Sequence, residues 1–298
     1  MGVWSTTELA DSGADLDYRV EPMGQKDKTW VKLSDDTIWL FKYVRDSGGW
    51  YRGEDWAEWC YYELGKLLEI PVAEVRPATI EGKRGILSRN IAGPNQRLVH
   101  GNELLYQAIE GYEKEKGRSN QKYSVDTIHA SLETFDVGPG SGAWGSAVTG
   151  FDALTAYLVL DALSAAQDRH HGNWAALQGS FGYALAPSFD HGNAFGFQER
   201  AEAIQRILRE DGGVARWASK GKSPHFLGKP TLVDVAASAL RLCSPELRTE
   251  LKFRLAGDVD VLLSEAIATV PQEIMSQDHK QFVSALFKHN RKRVNDEL

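Results

Sequence analysis

The sequence predicts an α+β fold in two lobes, a small β-rich one followed by a larger, mostly helical one. Runs rich in β-branched and aromatic residues, broken by turn sequences, cluster before residue 90. Apolar residues at helical spacing dominate beyond residue 100. Between them lies 89–94, a polar stretch with Gly and Pro, which sets the expected division at residues 1–92 and 93–298. With 298 residues, 42% of them apolar and 25% charged, the chain can bury a sizeable core.

The elements follow in order. Residues 29–33 and 37–43 read as a hairpin across the turn sequence Ser34-Asp35-Asp36. Ser47-Gly48-Gly49 is a loop, and 54–69 then carries Cys60, Leu64, Leu67 and Leu68 on one helix face, with Pro71 expected to stop it. Residues 74–80 and 85–87 form a second strand pair across Glu81-Gly82-Lys83. In the second lobe, 103–111 reads as a short helix, 111–120 as a charged loop and 136–145 as a Gly-rich linker. Residues 151–166 are strongly apolar with helical spacing. After Asp190, helices are expected at 199–209, 231–242, 245–255, 259–268 and 276–288.

Charge and composition narrow the function classes. A net charge of −7 gives no electrostatic support to a general nucleic-acid or membrane-surface role. The basic run Lys288–Arg293 reads as a solvated helix end. No apolar run reaches membrane-spanning length, and no basic segment followed by an apolar core opens the chain, so neither a span nor a secretory signal is expected. Gly2 with Thr6 fits the N-myristoylation pattern, which often arises by chance. Cys60 and Cys243 form no CxxC or Cys/His cluster, which argues against a disulfide framework or structural zinc and for a cytoplasmic location.

Chemistry concentrates in Gln167-Asp168-Arg169-His170-His171-Gly172-Asn173 and, further on, Ala186-Pro187-Ser188-Phe189-Asp190 at the end of an expected strand. Phosphoryl transfer needs such a set: one carboxylate orients the attacking hydroxyl, while an amide oxygen and a second carboxylate hold the metal that neutralises a triphosphate. Singly, each residue has a plainer reading. Asp168 could satisfy backbone amides in a turn, and Gly172-Asn173 is turn chemistry. His170 and His171 raise the question of zinc, but no third His or Cys stands at a ligand spacing. Lys42, inside Ile38-Trp39-Leu40-Phe41-Lys42-Tyr43, is by itself an edge-strand lysine with its head in water. The acid-bearing helix that follows makes it a candidate to bind α- and β-phosphates and pair with a carboxylate. Glu58 and Glu63 lie about 140° apart around a helix, so only one can be that partner, and spacing does not say which. Gly24, Gln25, Lys26 and Lys28 form a loop able to lie over phosphates, though without a GxGxxG or Walker pattern such a loop is ordinarily a basic turn. Ser88, Arg89 and Asn90 close the β-rich lobe, where a hinge backbone would bind adenine.

At these motifs the chain resembles the HipA-like kinases, bacterial toxin-type serine/threonine kinases with a two-lobed protein-kinase-like fold. The matching pieces are Gly24-Gln-Lys-Asp-Lys28-Thr, Leu40-Phe-Lys42, Ala57-Glu58-Trp-Cys60 leading to Ile70-Pro-Val-Ala-Glu, Ile86-Leu-Ser-Arg-Asn, Asp168-Arg-His-His-Gly-Asn173-Trp and Leu185-Ala-Pro-Ser-Phe-Asp190, spread over residues 20 to 293. The resemblance implies Asp168 as the catalytic aspartate, Asn173 and Asp190 as Mg²⁺ ligands, and Lys42 as the phosphate-binding lysine. It favours Glu58 over Glu63 as the partner, because the family's acid stands in that place relative to the Ile70-Pro71-Val72 stop. It also implies Gly24, Gln25, Lys26 and Lys28 as the loop over the phosphates and Ser88, Arg89 and Asn90 as the hinge. ATP and Mg²⁺ are the cofactors it brings, and a protein with a Ser/Thr acceptor and an antitoxin or regulatory protein are the partners. Two departures stand out. Family toxins commonly carry an extra N-terminal subdomain through which the antitoxin is bound, whereas here the loop begins at Gly24. His191-Gly192 follows Asp190 in place of Phe-Gly.

Two rivals remain. Asp-Arg-His-x-x-Asn also resembles the catalytic loop of phosphoinositide kinases, so a small molecule or lipid head group is an alternative acceptor. Acidic charge and the lack of a basic amphipathic membrane helix speak against lipid. The other rival is a pseudokinase serving as an interaction module, against which all five expected catalytic positions are filled.

Overall fold

Alternating side chains on short, β-branched runs build the first lobe. The computed structural model describes residues 2–20, 28–118, 120–140 and 148–298. Gly24, Gln25 and Lys26, and residues 141–145 of the expected 136–145 linker, lie outside them. Six strands form one sheet: β1 (Thr7–Glu8), β2 (Asp15–Val20), β3 (Lys28–Lys32), β4 (Ile38–Tyr43), β5 (Val75–Ile80) and β6 (Lys83–Arg89), in the order β1-β5-β6-β4-β3-β2. β1 pairs parallel to β5 and the other neighbours are antiparallel. Strand periodicity then assigns the faces. Val31, Trp39, Phe41 and Leu87 are buried in a core on one side of the sheet. Trp30, Leu40, Lys42 and Ser88, one residue out of phase, line a cavity on the other.

α1 (Glu54–Leu67) packs against this sheet and the second lobe. It stops two residues before the expected position, and Pro71 is not the cause. Glu69 takes a left-handed conformation at φ 50°, Ile70 N–H donates to Gly65 O and Glu69 N–H donates to Lys66 O. This is a Schellman-type stop made by a non-glycine residue. The chain then runs beside Ser188, which donates to Pro71 O and accepts from Ala73 N–H, tying the end of α1 to the lead into Asp190.

The second lobe holds a three-stranded sheet, β7 (Arg97–His100), β8 (Ala175–Gly179) and β9 (Gly182–Leu185), in that order. Its helices are α2 (Gly101–Ala108), α3 (Val125–Thr134), α4 (Gly150–Ser164), α5 (Ala201–Arg209), α6 (Gly213–Ser219), α7 (Leu232–Leu242), α8 (Pro245–Ala256), α9 (Val259–Ala268) and α10 (Gln277–Asn295). α4 is buried along its whole length, between α1, α3, α7 and α10. A helix apolar on all sides belongs in the middle of a core. The Ser/Thr-x-x-polar sequences Ser124/Thr127, Thr149/Asp152 and Thr231/Asp234 cap α3, α4 and α7 as reciprocal boxes. α10 runs past residue 288 through the basic stretch: Asn290 and Val294 are buried and Arg291 pairs with Asp260 at 2.8 Å. The expected solvated end is therefore one face of a packed helix. Among the described residues no helix is long and apolar enough to cross a membrane.

Candidate active site

The buried helix α4 ends with Ala165 in a left-handed turn at φ 54°, and the chain enters 167–173 directly from it. Arg169 folds back under that loop. Its Nε and Nη2 donate to the two carboxylate oxygens of Asp161 on α4 at 2.7 and 2.9 Å, and Nη1 donates to Asn173 O at 2.7 Å. Nη2 also meets Ser188 Oγ at 2.9 Å and Tyr61 Oη at 3.2 Å. Burial disfavours the guanidinium charge, but Asp161 outweighs it and keeps Arg169 firmly protonated. One side chain thus ties together α1, α4, the loop and the approach to Asp190. From the other side, Tyr123 Oη donates to Arg169 O and Trp174 Nε1 donates to Tyr123 Oη. Trp174 packs against the start of α2, where a side chain on Gly101 would come within 2.1 Å of its ring, so glycine is required there.

The loop's own hydrogen bonds set Asp168 and Asn173. Asn173 Nδ2 donates to Asp168 O at 2.9 Å, so its amide oxygen is the atom left for other contacts. Asp190 adopts a left-handed φ of 65°. There its Oδ1 accepts from Lys42 Nζ at 3.0 Å, and the same ammonium donates to Glu58 Oε1 at 3.0 Å. Burial alone would lower the Lys42 pKa, but Asp190 and Glu58 outweigh it and raise it above the ordinary lysine value. The choice between Glu58 and Glu63 is settled by what each acid on α1 touches. Glu63 accepts from Gly2 N–H and Lys66, Glu54 pairs with Arg45, and Asp55 pairs with Arg84. Only Glu58 reaches Lys42. Three residues on, Tyr61 stacks on His191 with ring centroids 3.6 Å apart, so the residue that departs from the expected Asp-Phe-Gly pattern is buried against the helix that carries Glu58. Burial holds His191 neutral, with Arg169 adding to the effect.

Two residues in the site were missed. Asn193 Nδ2 donates to Asp168 Oδ2 at 2.6 Å, and His225 Nε2 donates to Asp168 Oδ1 at 3.0 Å. Asn193 stands three residues after Asp190, and His225 lies in the aromatic-flanked Pro224-His225-Phe226, signals too common to single out. Burial would raise the Asp168 pKa; the His225 hydrogen bond, with His170 and His225 nearby, lowers it below the usual aspartate value.

These groups share a cavity of about 680 Å³ between the lobes, lined by Asp168, Asn173 and Asp190 and by Lys28, Lys42, Arg45, Arg89 and Arg118. Five cations line it against two carboxylates, with Glu58, Glu54 and Glu74 pairing with Lys42, Arg45 and Arg89 from outside the lining. Its apolar lining is Trp30, Leu40, Ile91, Leu98 and Phe189, the kind of surface that takes a flat aromatic ligand. Ser88, Arg89 and Asn90 also line it, but Arg89 N–H donates to Glu74 O and Asn90 N–H donates to Ile38 O. Those two amides are taken up by the sheet and are not available to a base. Lys28 lies in register with Lys42 on the neighbouring strand. The donor set of Asn173 and Asp190 is oxygen only. Among the described residues no three His, Cys, Asp or Glu side chains form a metal-holding group. Such a site suits Mg²⁺, which takes one or two protein oxygens and completes its shell with phosphates and water.

No protein-family model matches the chain, and no curated protein matches its sequence. Solved structures do match it. A Helicobacter pylori proinflammatory kinase, CtkA, superposes with a TM-score of 0.74 over 98% of this chain and 97% of its own, at 16% identity. The Golgi casein kinase with Mn/ADP bound gives 0.50 over 94% and 72%, at 14% identity. HipA of Shewanella oneidensis MR-1, in a toxin–antitoxin complex with HipB and operator DNA, gives 0.47 over 94% and 64%, at 15% identity, too loose to add to the fold. The chain has the two-lobed protein-kinase-like fold that its resemblance to HipA-like kinases implies.

Proposed function

We propose that this chain is an ATP- and Mg²⁺-dependent, HipA-like kinase that transfers the γ-phosphoryl group to a serine or threonine hydroxyl of a protein, its lobes dividing after residue 92. The observation that carries this reading is Lys42 Nζ bridging Glu58 and Asp190 in the cavity that Asp168 and Asn173 also line. An ammonium held protonated there offers its charge to the α- and β-phosphates, with Lys28 in register beside it on the neighbouring strand. Asp168, kept ionised, accepts the hydrogen bond of the incoming hydroxyl, aligns its oxygen for in-line attack and receives its proton. Mg²⁺ held by Asn173 and Asp190 would neutralise charge on the triphosphate. The chain's remaining contribution is positioning and fixed charge. A toxin–antitoxin setting and a cytoplasmic location belong to the proposal, the former resting on the motifs alone.

Calorimetric titration with ATP, with and without Mg²⁺, tests the reading together with label transfer from γ-labelled ATP. Binding that strengthens with Mg²⁺, and is weakened along with transfer by Asp190→Asn, is the expected result. No binding at all would favour the interaction-module alternative.

A further inference from the structure

The carboxylate of Asp168 is gripped from two directions. Asn193 holds one oxygen at 2.6 Å and His225 the other at 3.0 Å, the latter from 57 residues further along the chain. His225 is 5% exposed and sits in a loop fixed by packing rather than by the site. The loop's ends pair as Lys222 with Thr231, and Leu227 N–H donates to Tyr123 O. Phe226 packs on the Tyr123 ring at 4.6 Å, and Tyr123 in turn donates to Arg169 O in the loop that carries Asp168. The imidazole therefore reaches Asp168 along a frame anchored independently of any ligand. Among the described residues its Nδ1 is buried with no hydrogen-bond partner, so the ring makes a single directed bond to them. An ionised carboxylate only accepts, so Nε2 carries the hydrogen. His225 does not line the nucleotide-sized cavity, whereas Asp168 does.

We propose that His225 is a positioning residue for the transfer reaction: it fixes the rotation of the Asp168 carboxylate so that a remaining lone pair faces the acceptor hydroxyl. This inference rests on the kinase reading. It assigns His225 no contact with nucleotide, metal or reacting atoms, and no proton of its own to move. A carboxylate free to turn would misplace the proton acceptor, and small misplacements at a reacting centre cost up to about a hundredfold in rate.

The test compares wild type, His225→Ala and His225→Gln in steady-state transfer from γ-labelled ATP to dephosphorylated casein, with Mg·ADP binding by calorimetry and melting curves alongside. His225→Ala should lower kcat roughly ten- to hundredfold while the KM for ATP and Mg·ADP binding stay at wild-type values. His225→Gln, which keeps an N–H donor near the Nε2 position, should recover most of kcat. Wild-type kcat in the alanine variant overturns the proposal. So does an equal loss of kcat and nucleotide binding in both variants with a matching fall in melting temperature, since that is a purely structural role. A wild type that transfers no label to casein, itself or water sinks the kinase reading, and this inference with it.

Discussion

Replacing Asp161 with alanine should be among the most damaging single changes in this chain, because its carboxylate is spent on Arg169 and Tyr61. Its side chain and that of Arg169 are each 4% exposed. The change removes two charge-assisted bonds to Arg169 and the bond donated by Tyr61 at 2.8 Å. At about 1.5–3 kcal/mol per charged bond the two to Arg169 alone account for about 3–6 kcal/mol, in line with about 3–5 kcal/mol for breaking a buried pair and stranding its partner. About 4 kcal/mol is roughly a thousandfold in the unfolding constant. Denaturant unfolding followed by tryptophan fluorescence measures it. Arg169 also holds Asn173 O and Ser188 Oγ, so any folded Asp161→Ala protein should bind Mg·ATP more weakly. The pair Asp161→Leu with Arg169→Met should restore much of the lost stability, because the penalty comes from the stranded charge rather than from lost attraction. A single-variant loss below about 1 kcal/mol, with an unchanged denaturant slope, would refute this reasoning.

Three further outcomes follow. Glu58→Gln should lower kcat/KM roughly tenfold or more by releasing Lys42, while Glu63→Gln leaves transfer intact; steady-state kinetics on both variants decides. Burial, with His170 and His225 adding to it, lowers the His171 pKa to about 4, against about 6.5 unfolded. The unfolded chain then binds the extra proton first, so stability is full above about pH 6.5 and is lost as pH falls toward about 4. His171→Gln should flatten that part of the stability–pH curve. Burial pushes the Cys243 thiol up to about 11 and the Cys60 thiol higher still. Both should react with a thiol reagent at pH 8 roughly a hundredfold more slowly in the native than in the unfolded protein.

What could be read from the sequence was what is contiguous. Asp168 and Asn173 fall within one short motif, and Asp190 is marked by the apolar run before it. The later helices were legible because their caps are local: Thr231 and Ser276 announce α7 and α10. Contacts across the chain were not legible. Four acids on α1 have the chemistry to pair with Lys42, and only the placement of Arg45, Arg84, Lys66 and Gly2 assigns the other three. His225 reaches Asp168 across 57 residues. β7 and β8 escaped because each has five residues or fewer and β8 is rich in Ala and Gly, which carry little strand signal, whereas the strand expected before Asp190 is β9, which ends at Leu185. α3 was missed although Ser124 and Thr127 cap it, because its start adjoins a charged stretch that reads as loop.

The central claim is that Asp168 receives the acceptor's hydrogen and that phosphoryl transfer depends on it. Label transfer from γ-labelled ATP by wild type and Asp168→Asn, each checked for Mg·ADP binding, tests it most directly. A variant that binds nucleotide like the wild type but transfers label at least about a hundredfold more slowly is the expected result. Wild-type transfer by Asp168→Asn would contradict the account.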